Sequence, residues 1–391
     1  MAAVWFTWIP RVESIRSNRF DILLWTRIGC NREFRRGSDV GEHRATLAAV
    51  AARAGVSPST ASLAFSGSGP VADATRERVL AAARDLGYAG PDPLARSLRR
   101  GRSGIVGAVI GERLLYAFRD PVAVALLDGI AEALSPSGTG LLLLSGDAQH
   151  GSPTTEQVSR MPVDVAVFAT CGRDDDPLLD LFLRRGVPVV AVDGPDRPDV
   201  TVVDIDDYGG AAELARHVAS LGHHRVAVAA LPLRLDGRSG RVDDARRAIV
   251  GFADCRARLA ATEDVFGPVP VAEAPSNVVE EGERAGRLLL AGPDRPTAIV
   301  AQSDLLAVGV IRAAEALGLR VPQDLTVVGY DGIDTPWLGE RLLTTVVQPI
   351  AEKGRLTGRM VTELLAGQRP ANVHLPVRLR VGTTSAPPPS R

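Results

Sequence analysis

Apolar residues near position 50 recur at the spacing of an amphipathic helix. Leu47, Val50, Ala51 and Ala54 form a stripe that stops at Gly55. Positions i, i+3, i+4 and i+7 lie on one face of an α-helix, and glycine commonly follows the last helical turn. The pattern therefore predicts a short helix that ends next to Gly55.

A second helix is predicted to begin directly after the three-residue turn 55–57. Ser57 is a good N-cap because its hydroxyl can accept from an unpaired N–H of the first turn. Pro58 suits the first helical position, because the N–H that proline lacks would have no partner within the helix there. Two helices joined by so short a turn form a helix-turn-helix. The predicted buried face carries Ala61, Ala64 and Phe65, and the other faces carry Ser59, Thr60, Ser62 and Leu63.

A third helical stripe ends at Gly87, and three short helices can close a small core. Residues 91–102 then form a linker with two prolines, in which residues 94–100 can make one or two helical turns. Such turns are marginal on their own. The apolar positions of the third stripe are Val79, Ala82, Ala83 and Leu86.

Strands and helices alternate beyond Ser103, and this alternation predicts parallel sheets with helical crossovers. The strands fall into two series, so the simplest architecture has two α/β lobes. The fold class is therefore a multidomain chain with an all-α helix-turn-helix headpiece and a two-lobed α/β core. The predicted strands are residues 105–110, 140–144, 164–169 and 187–192, followed by 225–230, 269–272, 297–301 and 325–329.

The two ends of the chain lack this periodicity. Residues 1–44 are predicted to be an irregular extension, and a start site assigned too far upstream would produce such a segment. Residues 387–391 are predicted to be a Pro-rich tail. No leucine heptad precedes the tail, so no coiled coil joining dimers into a tetramer is expected.

Charge is distributed unevenly along the 391 residues. The whole chain has a formal net charge of −1, which by itself argues against a nucleic-acid binder. Residues 45–102, however, carry eight arginines and four acids, a net charge of +4. The basic charge therefore lies with the helix-turn-helix and its linker, where phosphate contacts would need it.

Several classes of site have no sequence support. The three cysteines, Cys30, Cys171 and Cys255, form no CxxC pair, so neither a disulfide framework nor a zinc site is indicated. His223 and His224 are interpreted as structural, and the run 174–176 of aspartates as a loop or a helix cap. No glycine-rich nucleotide motif follows a strand, so no cofactor is expected. Without a signal peptide or an apolar span of about 18 residues, a cytoplasmic protein with no membrane contact is expected.

Residues 45–106 resemble the LacI/GalR family of bacterial repressors almost motif for motif. The resemblance continues more loosely to the end of the second lobe. It implies a core similar to periplasmic sugar-binding proteins, with three crossovers near Asp206, Gln348 and Pro370. The matching segments are VAARAGVS (50–57), GSGPV (67–71), TRERV (75–79), LGY (86–88) and PLARSL (93–98), then LGHHR (221–225), SD (303–304), VGYD (328–331) and LTTVVQP (343–349).

The resemblance implies domain boundaries and DNA contacts. The headpiece spans 45–90, the hinge 91–102 and the core 103–386, with lobe 1 at 103–206 and 348–369 and lobe 2 at 207–347 and 370–386. Two copies form a homodimer on a two-fold symmetric operator, with residues 58–65 in the major groove and Leu98 as a wedge in the minor groove. The implied DNA-binding residues are Thr46, Ser57, Pro58, Ser59, Thr60, Ser62, Leu63, Tyr88, Leu94, Ala95, Arg96, Leu98 and Arg99.

The resemblance also implies a small-molecule effector, a sugar or related metabolite, between the lobes. The chain departs from the family here, because Ala248 stands where sugar-binding members have a hydroxyl-gripping arginine. Leu63 and Asp92 are departures in the headpiece and hinge, and Leu63 could touch a thymine methyl. The candidate ligand-binding residues are Tyr116, Phe118, Arg247, Ser303, Asp304, Asp331 and Gln348.

Three functions are considered for a chain with this organisation. A ligand-responsive repressor explains the complete headpiece and hinge. A small-molecule-binding protein with a weakened or vestigial headpiece would explain Leu63 and Asp92. An α/β enzyme would need a catalytic constellation, and none is recognisable, so no enzymatic activity is expected.

Overall fold

The computed structural model describes residues 45–67, 69–90, 101–111, 114–146, 153–169, 173, 175–195 and 197–389. The chain divides into two compact units, Met1–Pro91 and Asp92–Arg391. The predicted hinge residues 91–100 and the extension 1–44 lie outside the described residues.

The first unit contains the three predicted helices, α1 (Leu47–Ala54), α2 (Pro58–Ser66) and α3 (Asp73–Asp85). Helix α1 ends at Gly55, whose φ of 66° places it in the left-handed region that favours glycine. Helix α2 begins as predicted, because Ser57 Oγ accepts from Thr60 N at 3.1 Å. Helix α3 has no side-chain cap at Ala72. The shared core consists of Val50, Ala51, Ala61, Ala64, Val79, Ala82 and Ala83.

Lobe 1 of the second unit is built on a sheet of six strands that are all parallel, in the order β12-β5-β4-β3-β1-β2. Its strands are β1 (Ile105–Ile110), β2 (Gly140–Ser145), β3 (Val165–Phe168), β4 (Val189–Val192), β5 (Thr201–Ile205) and β12 (Val373–Leu375). Its helices are α4 (Leu114–Ala117), α5 (Pro121–Leu134), α6 (Thr155–Ser159), α7 (Pro177–Arg184) and α13 (Ile350–Leu365), with a 3₁₀ turn at Ser135–Ser137.

Helices cover both faces of this sheet. Residues of α5 and α13 form one apolar cluster with β1, β3 and β4, and residues of α6 and α7 form another on the opposite face. Helices α5 and α13 lie very close, since a Cβ on Gly129 would be 2.7 Å from the carbonyl oxygen of Ala351. The close contact requires glycine and anchors α13 to lobe 1.

Lobe 2 is built on a seven-stranded sheet in the order β13-β11-β10-β9-β6-β8-β7, in which the two edge strands are antiparallel to their neighbours. Its strands are β6 (Val226–Ala230), β7 (Gly240–Arg241), β8 (Val271–Glu273), β9 (Ala298–Ala301), β10 (Thr326–Asp331), β11 (Thr344–Val347) and β13 (Arg378–Arg380). Its helices are α8 (Asp207–Ser220), α9 (Asp244–Arg247), α10 (Ala253–Phe266), α11 (Val279–Leu290) and α12 (Asp304–Ala316), with a 3₁₀ turn at Pro336–Leu338.

The chain passes between the two sheets three times. It leaves lobe 1 between β5 and α8 and returns between β11 and α13. The third passage lies between Leu375 and Arg378, because β12 pairs with β5 in the first sheet. The predicted third crossover near Pro370 is therefore several residues too early. The cause is local: Asn372 Oδ1 accepts from Val202 N at 2.9 Å and holds this segment on the edge of lobe 1.

All eight predicted strands are present, with ends that shift by one or two residues. Strands β5, β7, β11, β12 and β13 were not predicted. They are two to five residues long, and β7, β12 and β13 lie at sheet edges, where little apolar alternation is required. The C-terminal segment is attached to lobe 2 as far as Ala386, whose carbonyl accepts from Thr326 Oγ1 at 2.9 Å.

In the described part of the chain, no helix is both long and apolar enough to cross a membrane.

Candidate DNA-binding surface and ligand cleft

Helix α2 presents a mixed surface of hydroxyls and one leucine. Ser57, Pro58 and Ser59 are exposed, and Thr60 and Ser62 are half-buried. Leu63 is 38% exposed, which leaves its methyl groups available for contact. These side chains form one continuous outer face, because the alanines on the opposite face of α2 are in the core.

The remaining predicted DNA contacts divide into two groups. Thr46 is exposed and caps α1, accepting from Ala49 N at 3.2 Å. Tyr88 is half-buried, and its ring meets Phe65 edge-on with centroids 5.5 Å apart, which ties the end of the headpiece to α2. Leu94, Ala95, Arg96, Leu98 and Arg99 lie outside the described residues.

A cleft between the two lobes is the second candidate site. It contains about 990 Å³ of space, its open mouth included. Both sheets turn the carboxyl ends of their parallel strands toward it, as is usual for ligand sites in α/β folds. Its polar lining consists of Asp120, Asp193 and Lys353 from lobe 1, Asp254, Arg258, Asn277 and Asp331 from lobe 2, and Gln348 from the second crossover.

A chain of buried polar contacts connects the lobes through Gln348. Lys353 Nζ forms an ion pair with Asp193 and donates to Gln348 Oε1 at 2.9 Å. Gln348 Nε2 in turn donates to Asp331 Oδ1 at 2.6 Å. Burial raises the pKa of Asp193 to about 6 although the nearby Lys353 ammonium opposes the shift. The second crossover is thus held by one residue of each lobe.

Arg258 is the cation that lobe 2 contributes to the described lining, and its guanidinium has several partners. It donates to Asp207 Oδ1 at 2.8 Å and to the carbonyl of Gln302 at 2.7 Å. Its guanidinium carbon lies 3.8 Å from the centre of the Tyr330 ring. Asp331 is 4.0 Å from Arg258, and burial still raises the pKa of Asp331 well above its usual range. Arg258 therefore holds together the lobe 2 side of the cleft, where it contacts Asp207, Gln302 and Tyr330.

One direct hydrogen bond crosses the cleft among the described residues. Asn277 Nδ2 donates to Asp120 Oδ2 at 3.1 Å, and Ser303 Oγ orients the amide by donating to Asn277 Oδ1 at 2.5 Å. Asp120 also caps α5 by accepting from Val122 N, and burial raises the pKa of its carboxyl. This bond joins the N-terminus of α5 in lobe 1 to the loop after β8 in lobe 2.

The predicted ligand residues are only partly at this cleft. Asp331 and Gln348 line it. Phe118 is 59% exposed and is not part of the lining. The side chain of Tyr116 lies outside the described residues. For Phe118 the structure thus places an aromatic on the surface, where the sequence suggested a pocket wall.

Three other candidates are engaged behind or beside the cleft. Arg247 pairs with Glu263 and donates to the carbonyl of Val269, so it does not reach the lining. Ser303 is the N-cap of α12. Asp304 is buried, accepting from Thr345 Oγ1 and from the N–H groups of Gly332 and Ile333, and these bonds shape the loop after β10. None of the three is part of the cleft lining, and their direct contact with a ligand stays a prediction.

Sequence reasoning missed Asp193, Asp254, Arg258 and Lys353. One signal was present: Lys353 is the only lysine in a chain that otherwise uses arginine. A lysine retained against such a bias, and placed on the buried face of α13, marks a position where the compact ammonium matters. Arg258 had no comparable signal, since it is one of many arginines.

The histidine and aspartate interpretations agree with the structure. His223 is buried with its ring nitrogens near Thr297 Oγ1, Thr326 Oγ1 and the Ala386 carbonyl, so it joins three segments of lobe 2. Asp176 caps α7 by accepting from Leu178 N at 2.9 Å. No cluster of potential metal ligands occurs in the part of the chain that the structure describes.

Comparison with known proteins agrees with both candidate sites. Residues 46–90 match the family of bacterial regulatory proteins of the lacI type, and residues 215–385 match a periplasmic binding protein-like domain. An HTH-type transcriptional regulator of Mycobacterium tuberculosis is 37% identical over 360 residues, covering 90% of this chain and 99% of that protein. The chain belongs to the LacI family.

Solved structures of LacI-family proteins support the same assignment. A transcriptional regulator of Corynebacterium glutamicum is 27% identical with a TM-score of 0.66, covering 87% of this chain and 98% of its own. The regulator CelR in complex with cellobiose is 27% identical with a TM-score of 0.60, covering 87% of this chain and all of its own. The predicted family, fold class and role as a transcriptional regulator are confirmed, and the vestigial-headpiece alternative receives no support.

Proposed function

We propose that this LacI-family regulator is a homodimeric repressor in the cytoplasm, with no enzymatic activity, whose operator affinity is set by a small hydroxyl-rich effector bound between its lobes. The observation that carries the proposal is the cleft itself: each lobe contributes buried charged groups to it, and Gln348 in a crossover contacts both lobes. A ligand in this place touches two bodies that can rotate relative to each other.

On the DNA side, the outer face of α2 is the proposed base-reading surface. Ser59, Thr60 and Ser62 supply hydroxyls, and Leu63 supplies methyl groups that fit a thymine methyl better than a hydrogen-bonding base edge. Thr46 and Tyr88 would position the headpiece on the phosphates. The hinge residues Arg96, Leu98 and Arg99 are assigned by the resemblance of residues 93–98, with Leu98 as the wedge.

The effector acts by binding one arrangement of the lobes more tightly than another. A ligand shifts a conformational equilibrium only by the difference in its affinity for the two states. Contacts to Asp193 in lobe 1, Asp254 in lobe 2 and Gln348 between them would make such a difference. Because the hinge precedes lobe 1 directly in the chain, the lobe arrangement would set the spacing of two hinges in a dimer.

The cellobiose complex of CelR motivates a carbohydrate-like effector. The lining supports the same class, since carboxylates and amides that accept and donate hydrogen bonds are combined with apolar walls from Leu231, Phe252 and Ile350. Hydroxyl groups of a ligand would find acceptors on both lobes.

The test begins with DNA binding by the purified full-length protein. Fluorescence anisotropy with its own promoter region should show tight, salt-sensitive binding that unrelated DNA does not compete away. Leu98→Ala is expected to weaken operator binding at least tenfold, because the bent state loses its wedge. Leu317→Ala, which truncates a leucine that is 46% exposed in lobe 2, is the control and should bind as wild type.

The second stage is a thermal-shift screen, followed by anisotropy with each stabilising compound. A ligand at 100 times its Kd should add about 2.7 kcal/mol of stability. Release of DNA by such a ligand supports the repressor proposal. Equal DNA affinity with and without every stabilising ligand would contradict it, as would sequence-independent DNA binding.

A further inference from the structure

The cleft holds more acidic than basic groups. Among the described lining residues, four carboxyls face two cations. The excess matters because a charge removed from water is unfavourable unless it is paired. The acidic groups are Asp120, Asp193, Asp254 and Asp331, and the basic groups are Arg258 and Lys353.

Both cations already have partners. Arg258 is engaged by Asp207, a carboxylate behind the lining, and by the Gln302 carbonyl and the Tyr330 ring. Lys353 is engaged by Asp193 Oδ2 and Gln348 Oε1. Two positive charges are thus shared among five carboxyls, the four of the lining and Asp207, and not every carboxylate oxygen has a hydrogen-bond partner.

Two of the remaining oxygens are buried without a hydrogen-bond partner, Asp193 Oδ1 and Asp254 Oδ1. Both residues line the cleft, one from the end of β4 in lobe 1 and one from the first turn of α10 in lobe 2. They are close enough for the charge of Asp254 to act on the ionisation of Asp193. Asp193 also has a φ of 56°, in the left-handed region that favours glycine.

We propose that the cleft selects a hydroxylated cation, such as an amino sugar, whose ammonium group binds between the carboxylates of Asp193 and Asp254. An ammonium group has three N–H donors and no acceptor, so it can satisfy both oxygens and cancel one excess charge. The hydroxyl groups of the same ligand would meet Asp120, Asn277 and Asp331. This inference rests on the proposed function, because it specifies the effector of the same cleft.

A neutral sugar is the direct competitor. Its hydroxyls could also donate to Asp193 and Asp254, but they would leave the negative excess of the cleft unchanged. The two ligand classes therefore differ in charge and hardly in shape, and a matched pair of compounds separates them.

The first experiment uses such pairs with the full-length wild type: glucose and glucosamine, galactose and galactosamine, and cellobiose and chitosan disaccharide, each by calorimetry and thermal shift at pH 7. At this pH the amines are largely cationic. We expect at least one amine to bind tenfold or more tightly than its neutral partner. Equal or tighter binding of the neutral partners would overturn the inference, and so would a lack of binding by all three amines.

The second experiment removes one charge at constant shape. Asp254→Asn should reduce the preference for the amine to threefold or less, while the neutral sugar retains its affinity within a few fold. Asp294→Asn, in an exposed loop of lobe 2, removes the same charge outside the cleft and should keep the wild-type preference. If Asp254→Asn leaves the amine preference unchanged, Asp254 does not bind the ammonium group.

A third measurement needs no ligand. Asp254→Asn should unfold within about 5 °C of wild type, since it relieves the repulsion of Asp193 and weakens the attraction to Arg258, and Asp254 Oδ1 makes no hydrogen bond. A fall of more than about 5 °C would show that the carboxylate serves the fold instead.

Failure of this inference and failure of the proposed function give different results. If neutral sugars bind and change operator affinity, the repressor proposal stands and the cationic effector is refuted. If no compound of either charge changes operator binding, the proposed allosteric repressor fails as well.

Discussion

The two lobes each place one cation in the cleft, and they hold it differently. In lobe 2, Arg258 is clamped by Asp207, a backbone carbonyl and the face of Tyr330. In lobe 1, Lys353 contacts Asp193 of its own lobe and Gln348 in the crossover. A planar guanidinium with five donors suits a fixed clamp, whereas an ammonium on a flexible stem can follow a moving partner. Arg258 thus stabilises lobe 2 internally, whereas Lys353 connects lobe 1 to the second crossover.

The largest expected effect is that of Arg258→Met. It leaves Asp207 and Asp331 buried without their cation, and breaking a buried ion pair in this way costs about 3 to 5 kcal/mol of unfolding free energy. Urea unfolding measures it. Arg284→Met, which changes an arginine side chain that is 69% exposed, is the control and should alter stability by less than about 0.5 kcal/mol. A similarly small effect of Arg258→Met would remove the distinction between the two cations.

Lys353→Met should destabilise the protein less, by about 2 kcal/mol at pH 8, and the loss should depend on pH. Without the ammonium the pKa of Asp193 rises above its present value of about 6, so its carboxyl can become neutral. The difference from wild type should therefore disappear near pH 5. Arg359→Met on the exposed face of the same helix serves as the control and should show no such pH dependence. A loss that is constant from pH 5 to 8 would contradict this explanation.

The Asp193 carboxyl should contribute a loss of stability to the wild type as pH rises between about 4 and 6. The pKa of Asp193 is about 6 in the folded protein, above the ordinary value of 3.8, so the folded state keeps a proton that the unfolded state has released. Stability from this proton is complete below pH 4 and is lost as pH passes 6. Asp193→Asn should flatten the unfolding free energy in this window. An unchanged slope in the variant would show that Asp193 titrates normally.

The smallest effect concerns the bond that crosses the cleft. Asn277→Ala removes the hydrogen bond to Asp120 and should cost about 1 kcal/mol. Asn372→Ala removes a bond of similar length within lobe 1 and is the matched control. Hydrogen–deuterium exchange should increase on both walls of the cleft in the first variant alone. Equal exchange in the two variants would mean that the bond does not hold the lobes together.

Sequence reasoning was most successful where structure is determined locally. The cap at Ser57, the glycine at 55 and the apolar stripes specify the headpiece, because helix ends and periodicity depend on neighbouring residues. Most central strands of both sheets were also predicted, among them β1, β3, β4, β6, β9 and β10, since strands buried on both faces are continuously apolar. The edge strands β12 and β13 were missed because their pairing depends on partners far away in the chain.

The cleft could be predicted only in part, and Arg247 and Arg258 show why. They are eleven positions apart, and the residues next to each arginine do not indicate which of the two faces the ligand. Arg247 contacts Glu263 and Val269 away from the cleft lining, while Arg258 meets Asp207 of α8 and Tyr330 of β10. Asp193 and Lys353, 160 residues apart, form a pair for the same reason.

The sequence by itself determined that this protein has a helix-turn-helix headpiece, a two-lobed α/β core and the family to which both belong, because caps, glycines and apolar periods act over a few residues. The tertiary structure alone decided which charges meet in the cleft and which remain unpaired. Charges interact through space and are governed by burial, and only the folded chain brings Asp193, Asp254, Arg258 and Lys353 to one place and removes them from water.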